Sequence, residues 1–390
     1  MSRSFVVLML GLFTALAPIS IDMYLPALPD IGRALLGNPA QLQGTLSAFF
    51  LGFAGGQAIY GPISDRWGRK PPLYVGIGLF VLASCGCAMA ANMEMLTTMR
   101  LLQAIGACAG GVIGRAIVRD LYPPEEAPRL YASLMLVMGV APILAPLGGG
   151  WLAQNGDWRW IFWFSALMGG VCLLLLTFGL RETLPHKRGG GLGLATALLG
   201  YGRLLVERPF MACALAGGLG SAGMFCYISG SPTVLIEQYH IPADQFGWYF
   251  GSNALGLIAT AQIASRLTRR IPARSMLIAA QLLQVILVAV LLLVAATQWG
   301  GLWGLLVPLF LFMACQGIVA PLATSLAMAS QGRQAGLASS MLGTLQFSLS
   351  AIASSFVGVW HDGTALPMVS VMALTSMMGL IAHLLLSRQR

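Results

Sequence analysis

Charge is what this chain most lacks. Asp, Glu, Lys and Arg make up 9% of its 390 residues, against about 25% in a soluble domain. One soluble core could not be covered by so little polar surface. Alternating apolar and polar segments are missing too; the apolar runs are continuous, which excludes a transmembrane barrel. No extramembrane stretch is long enough for a separate enzymatic domain. The seven cysteines all lie inside apolar runs, with no CxxC or Cys/His spacing, so neither a disulfide framework nor a metal site is indicated. A G-x-x-x-x-G-K-[ST] loop is absent, which excludes ATP drive within this chain. His186, His240, His361 and His383 are scattered, so no catalytic cluster forms in the bilayer. The chain reads as no enzyme, without cofactor or metal. Its net charge of +9 comes from basic residues beside apolar spans, where they set orientation rather than bind nucleic acid.

Apolar runs of about 20 residues, enough to cross about 30 Å of hydrocarbon, are what the chain has instead. They predict twelve transmembrane helices near 5–25, 41–62, 72–91, 95–118, 129–153, 159–180, 209–231, 244–265, 274–297, 301–325, 334–358 and 365–386. Phe5 to Ile21 is uncharged and longer than a signal-peptide core of about 7–15 residues, so it reads as an uncleaved first span. The expected fold is all-α: two six-helix bundles around a central cavity. The first bundle spans 1–183, a linker 184–208 and the second bundle 209–390. The linker carries His186, Lys187, Arg188 and Gly189 to Gly191, and includes an amphipathic piece. With both termini in the cytoplasm, only Arg33 and Arg159 fall outside and Arg100 and Arg115 within span four. All other Lys and Arg, from Arg3 through Arg129 and Arg333 to Arg388 and Arg390, fall on the inner side, a strong positive-inside bias.

The connection between spans two and three reads Gly61-Pro62-Ile63-Ser64-Asp65-Arg66-Trp67-Gly68-Arg69-Lys70-Pro71. A positive-inside anchor explains its basic residues but not its ordered glycines, its acid or its closing proline. Gly68 permits a tight turn, and Asp65 suits charge-assisted bonds from arginine. The segment resembles the signature loop of the major facilitator superfamily, G-x-x-x-D-R-x-G-R-K-P. That resemblance implies a cytoplasmic latch, with Asp65 meeting the start of span eleven and Arg69 pairing with Asp120 at the end of span four.

Span four opens Arg100-Leu101-Leu102-Gln103-Ala104-Ile105-Gly106, similar to the superfamily's R-x-x-Q-G-x-G motif with Ala104 for its first glycine. Arg100 lies roughly 8 Å inside the outer end at 1.5 Å per residue. It either snorkels to the interface or is a fixed cation tuning a nearby carboxylate. Span five carries Gly139, Pro142, Pro146 and Gly149; its prolines remove helix hydrogen bonds, and its glycines permit close packing. The pattern resembles the G-x-x-x-G-P-x-x-G-G motif of the superfamily's antiporters, with Ala145 for one glycine.

Three further segments extend the likeness over the chain: Ala17-Pro18-Ile19-Ser20-Ile21-Asp22-Met23-Tyr24-Leu25-Pro26 in span one, Gly223-Met224-Phe225 with Ser231-Pro232 in span seven, and Ala335 to Gly343 in span eleven. They closely resemble the Bcr/CflA group of drug–proton antiporters. The resemblance implies proton-driven export of small amphipathic antibiotics by a monomer in the bacterial inner membrane; proton-linked transport of a small metabolite or nucleoside-like solute is the alternative. Asp22 alone among the acids sits within a span away from the cytoplasmic loops. An intramembrane carboxylate is a functional candidate by default, its other role being a helix cap. Asp22 and Arg100 are the candidate proton-coupling pair. Tyr24, Gln57, Phe225, Tyr227, Asn253 and Gln346 are candidates to line the cavity or to pack between helices.

Overall fold

The computed structural model describes residues 3–123, 126–184 and 194–387. His186, Lys187, Arg188, Gly189 to Gly191, Arg388 and Arg390 lie outside the described residues, as do the side chains of Arg3, Arg129 and Arg333. The first bundle contains α1 (Arg3–Asp22), α2 (Leu28–Ala34), α3 (Pro39–Trp67), α4 (Lys70–Ala88), α5 (Met93–Leu121), α6 (Ala127–Asn155) and α7 (Arg159–Gly179). A short helix, α8 (Leu194–Val206), leads to α9 (Arg208–Pro232), α10 (Ala243–Leu267), α11 (Ala273–Thr297), α12 (Gly301–Met328), α13 (Ala335–Val359) and α14 (Leu366–Ser387). Counting α1 with α2 as one crossing gives twelve transmembrane helices, six in each bundle. Ten meet length and apolarity limits for a span among the described residues; α6 and α10 complete the set.

Local chemistry explains the boundaries. Asn38 caps α3 by accepting from Gln41 N at 2.9 Å, while its own N–H donates to the Gln41 side chain, a reciprocal capping box. Asn92 caps α5 through Met95 N at 2.8 Å. Gly68, at φ +90°, ends α3 in a conformation that side chains resist. Span one departs from its predicted continuous form. The helix stops at Asp22, and a 3₁₀ turn at Leu25–Ala27 leads into α2. Pro26 and Pro29 supply no N–H to carry one helix through.

Two seams join the bundles, α3 against α13 and α6 against α10. Without a hydrophobic drive inside lipid, helices associate through close packing, and within the first bundle glycines of α3 and α5 provide it. A Cβ at Gly52 would stand 2.3 Å from the Leu101 carbonyl, and one at Gly106 would stand 2.5 Å from Phe80 N. Gly78 and Gly170 face open space. Gly52→Ala and Gly106→Ala are therefore expected to destabilise by about 1–3 kcal/mol, as overpacking does. Gly78→Ala and Gly170→Ala should melt like the parent in detergent; equal melting of all four variants would show that these contacts carry no weight.

Candidate functional site

Arg100 is wholly buried in the first bundle, so it does not snorkel. The last intrahelical bond of α1 runs from Met23 N to the Ile19 carbonyl. The next carbonyl, Ser20, accepts from Arg100 Nη1 at 2.9 Å. A cation at a helix C-terminus satisfies the free carbonyl and opposes the dipole. The same Nη1 donates to Gln103 Oε1 at 2.8 Å, and Gln103 Nε2 donates to Ser84 Oγ at 2.8 Å. The guanidinium also lies 4.5 Å from the Tyr24 ring centre and 4.4 Å from that of Phe49, each a cation–π contact. Gln103 follows Arg100 by three residues and was visible in the sequence; Ser84 and Phe49 were not.

Asp22 and Arg100 are not paired, contrary to the expectation of a carboxylate tuned by a nearby guanidinium. Asp22, 4% exposed, instead ends α1, and the turn that follows it packs against α9 and α10 of the second bundle. The Tyr227 hydroxyl accepts from Asn253 Nδ2 at 2.8 Å, and its ring stacks on Phe250. The structure thus brings Tyr227 of α9 and Asn253 of α10 together, and sets the turn after Asp22 against the same two helices. Phe225 joins Phe50, Phe53 and Phe347 in an aromatic cluster linking both bundles, with centroid distances of 4.6 Å to Phe50 and 5.3 Å to Phe347. Gln57 lies against Gly343 on the α3–α13 seam, its Oε1 without a protein partner, as is Asn253 Oδ1. Gln346 stands on α13, one residue before Phe347, and is partly exposed. Tyr24 is the exception among the cavity candidates. It is sealed inside the first bundle, bonded to Thr45 Oγ1 at 2.7 Å beneath Arg100.

The glycines of α6 permit two close approaches. A Cβ at Gly149 would lie 2.1 Å from the Met23 carbonyl, and one at Gly150 would lie 2.3 Å from the Ala243 carbonyl. Gly139 meets Ile258 of α10. Pro142 and Pro146 lie between these contacts, so the kinked helix seals the chain immediately after Asp22. Between α1, α6 and α7 runs an apolar groove of about 720 Å³, where Leu144 and Trp151 are exposed to the surroundings of the bundle.

The Gly61–Pro71 loop is built around Arg69, 2% exposed. Arg69 Nε donates to Asp120 Oδ2 at 2.7 Å, and Nη1 donates to Asp65 Oδ1 at 2.5 Å and to Ser64 Oγ at 3.0 Å. Burial works against its charge, but the two carboxylates outweigh that and push the Arg69 pKa up. Asp65 bonds Arg69 four residues on, across the turn at Gly68; at the start of span eleven, where Asp65 was expected to reach, the side chain of Arg333 lies outside the described residues. Gly61 fills the seam; a Cβ there would stand 3.1 Å from Ser340 Oγ of α13. Arg66 points outward, and Lys70 Nζ reaches the Thr177 carbonyl at 3.5 Å.

Glu182 is the loop residue that sequence reasoning missed. Its carboxylate accepts from the backbone N–H groups of Arg69, Lys70, Thr183 and Leu184 at 2.9–3.0 Å. Burial disfavours its charge, but these donors prevail and hold the carboxyl below its usual 4.5. Gly68 leaves room for it, since a Cβ there would lie 2.7 Å from Glu182 Oε2. Nothing local in the sequence signals a contact more than a hundred residues distant.

A two-bundle helical fold, with a latched loop on one face and polar groups between the bundles, defines a membrane transporter. Residues 10–355 match the family model of the Major Facilitator Superfamily, and the chain belongs to that family. An uncharacterized MFS-type transporter, YdgK of Bacillus subtilis, is 36% identical, covering 98% of this chain and 95% of the relative. Multidrug resistance protein D of Escherichia coli is 32% identical, covering 82% and 79%. A bicyclomycin resistance protein homolog of Haemophilus influenzae is 28% identical, covering 82% and 80%. The crystal structure of a D-xylose–proton symporter shares the fold at a TM-score of 0.77 and 15% identity, covering 100% of this chain and 98% of that one.

Two outcomes follow from the loop. Asp120→Ala removes a partner from the buried guanidinium and should cost about 3–5 kcal/mol, read as lowered melting; an unchanged midpoint would mean that Asp65 alone suffices. For Glu182, a depressed folded pKa means that the stabilisation is present above the unfolded value and lost as pH falls through the folded one. The melting gap between parent and Glu182→Gln should be full at neutral pH and close well below pH 4.5; a gap independent of pH would remove the carboxylate's charge from the account.

Proposed function

We propose that the chain is a proton-coupled antiporter that exports small amphipathic antibiotics by alternating access. The reading places it as a monomer in a bacterial inner membrane, both termini and the Gly61–Pro71 loop in the cytoplasm, with bundles at 1–183 and 209–390 about a linker at 184–208. The relatives named for bicyclomycin and multidrug resistance support the substrate class. The observation that carries the coupling is Asp22, a buried carboxylate at the end of α1 with no ion-pair partner among the described residues. A charge there is costly, so closing the bundles around Asp22 is favoured when it carries a proton. Opening toward water and solute favours release. Exchange follows when proton and drug compete for the same open state.

Arg100 serves this cycle by fixing the end of α1 that presents Asp22. It is a positioning residue, bonded to the Ser20 carbonyl two residues before Asp22. Gly61, Asp65, Arg66, Gly68, Arg69, Lys70 and Asp120 form the cytoplasmic gate in this reading. Phe225, Tyr227, Asn253, Gln57 and Gln346 offer the solute aromatic faces and polar groups.

Reconstituted vesicles under an imposed pH gradient test the reading by flux in both directions. The parent should move drug against the proton gradient. Asp22→Asn should fold and still bind drug but lose gradient-driven efflux to background, and Arg100→Ala should fail with an altered pH profile. Full gradient-driven efflux by Asp22→Asn would return that residue to the role of a helix cap. Metabolite accumulation in place of drug exchange would replace export with uptake.

A further inference from the structure

Helix α8 is covered on one side and bare on the other. On its covered side Leu204 is 1% exposed and packs with Phe210, Ala338 and Met341. A Cβ at Gly200 would stand 2.2 Å from Leu337. Just beyond the helix, Glu207 accepts from Gln331 Nε2 at 2.8 Å. These contacts fix α8 to the second bundle. Tyr201 reaches the other way. Its hydroxyl donates to the Ala58 carbonyl of α3 at 3.1 Å, while α8 itself packs on α13.

Ala58 is a specific acceptor for a reason written in the sequence. In a helix its carbonyl would bond the N–H four residues on, and that residue is Pro62, which has none. Tyr201 supplies the missing donor. Three residues past Ala58, Gly61 faces Ser340 of α13 across the α3–α13 seam. The Tyr201 phenol therefore ties α8, fixed to the second bundle, to the first bundle beside that seam.

The bare side carries Leu199, 70% exposed, and Val206, 79% exposed. Seven residues apart, they share one face at 3.6 residues per turn, with exposed Arg203 between them. Only Glu207 separates α8 from α9, which enters the membrane at Arg208. The bare face therefore lies beside the start of the span that begins at Arg208. Apolar side chains around an arginine suit a helix lying in the interface of an anionic leaflet.

We propose that α8 is a lipid-anchored strap: the leaflet on the loop face holds Leu199 and Val206, and Tyr201 pins the α3–α13 seam shut. The strap acts whatever solute is carried. Freeing either end lets the loop-face ends of α3 and α13 separate.

Spin labels in a background with the native cysteines replaced test both ends. Labels at Leu199 and Val206, in liposomes of phosphatidylethanolamine and phosphatidylglycerol, should respond to dissolved oxygen and be shielded from an aqueous nickel chelate. Distances between labels at Trp67 and Gln334 report the seam. Tyr201→Phe removes only the hydroxyl and should raise the long-distance population severalfold in liposomes and in detergent micelles. Leu199→Glu with Val206→Glu should raise it in liposomes alone. Free access of the nickel chelate to both labels, or no liposome-specific effect of the paired glutamates, would overturn the lipid anchor. A distance distribution unchanged by Tyr201→Phe would overturn the pin.

Discussion

Every backbone polar group in a membrane span needs a partner within the protein, because hydrocarbon offers none. Much of this molecule follows from where that rule is hardest to meet. Helices end or meet proline at a few points, each leaving a carbonyl without its usual N–H. Ser20 is freed where α1 stops and is taken by Arg100. Ala58 is freed by Pro62 and taken by Tyr201. Ile228 is freed by Pro232 and accepts from Ser231 Oγ at 3.1 Å. These three interruptions each draw a polar side chain. The side chains so drawn stand at the end of span one, on the seam, and beside the Tyr227 cluster.

Glycine is the counterpart to these orphaned carbonyls. In α6, which carries Pro142 and Pro146, Gly149 and Gly150 leave room for the Met23 and Ala243 carbonyls. The result is closure on the face opposite the loop, while Gly61 and Gly343 meet Ser340 and Gln57 toward the loop. The antiporter-like pattern of span five thus has a steric meaning independent of any resemblance. Its small residues lie where α1 ends and where α10 begins, so α6 touches both bundles along one line.

The twelve helices were legible because apolar length and basic asymmetry are properties of composition, which one sequence carries in full. The Arg69–Asp120 bond was legible through a motif whose spacing reflects it. Azimuth was not. Depth along a helix can be counted at 1.5 Å per residue, but the direction a side chain takes depends on how that helix is rotated by its neighbours. Asp22 and Arg100 share a depth, yet they face different partners. Tyr24, counted as lining, turned inward under the guanidinium. Phe50, Phe53 and Phe347 were three among many aromatic residues in spans, and only packing singles them out. Glu182 was hidden for another reason: its work is done on backbone N–H groups, which leave no trace in side-chain pattern.

The separation of Asp22 from Arg100 changes what kind of coupling the site supports. A direct pair would trade a proton against a guanidinium within one bundle, and the second bundle would need another way to sense it. Here the cation is spent on the backbone of α1, with its Nε and Nη2 left without protein partners among closely packed rings. Two residues further on, Asp22 stands about 200° around the helix from Ser20, where the turn after α1 packs against the second bundle. In the proposed cycle its charge state would act across the interface between the bundles. By holding the end of α1, Arg100 would keep a change at Asp22 from being absorbed by a loose helix end.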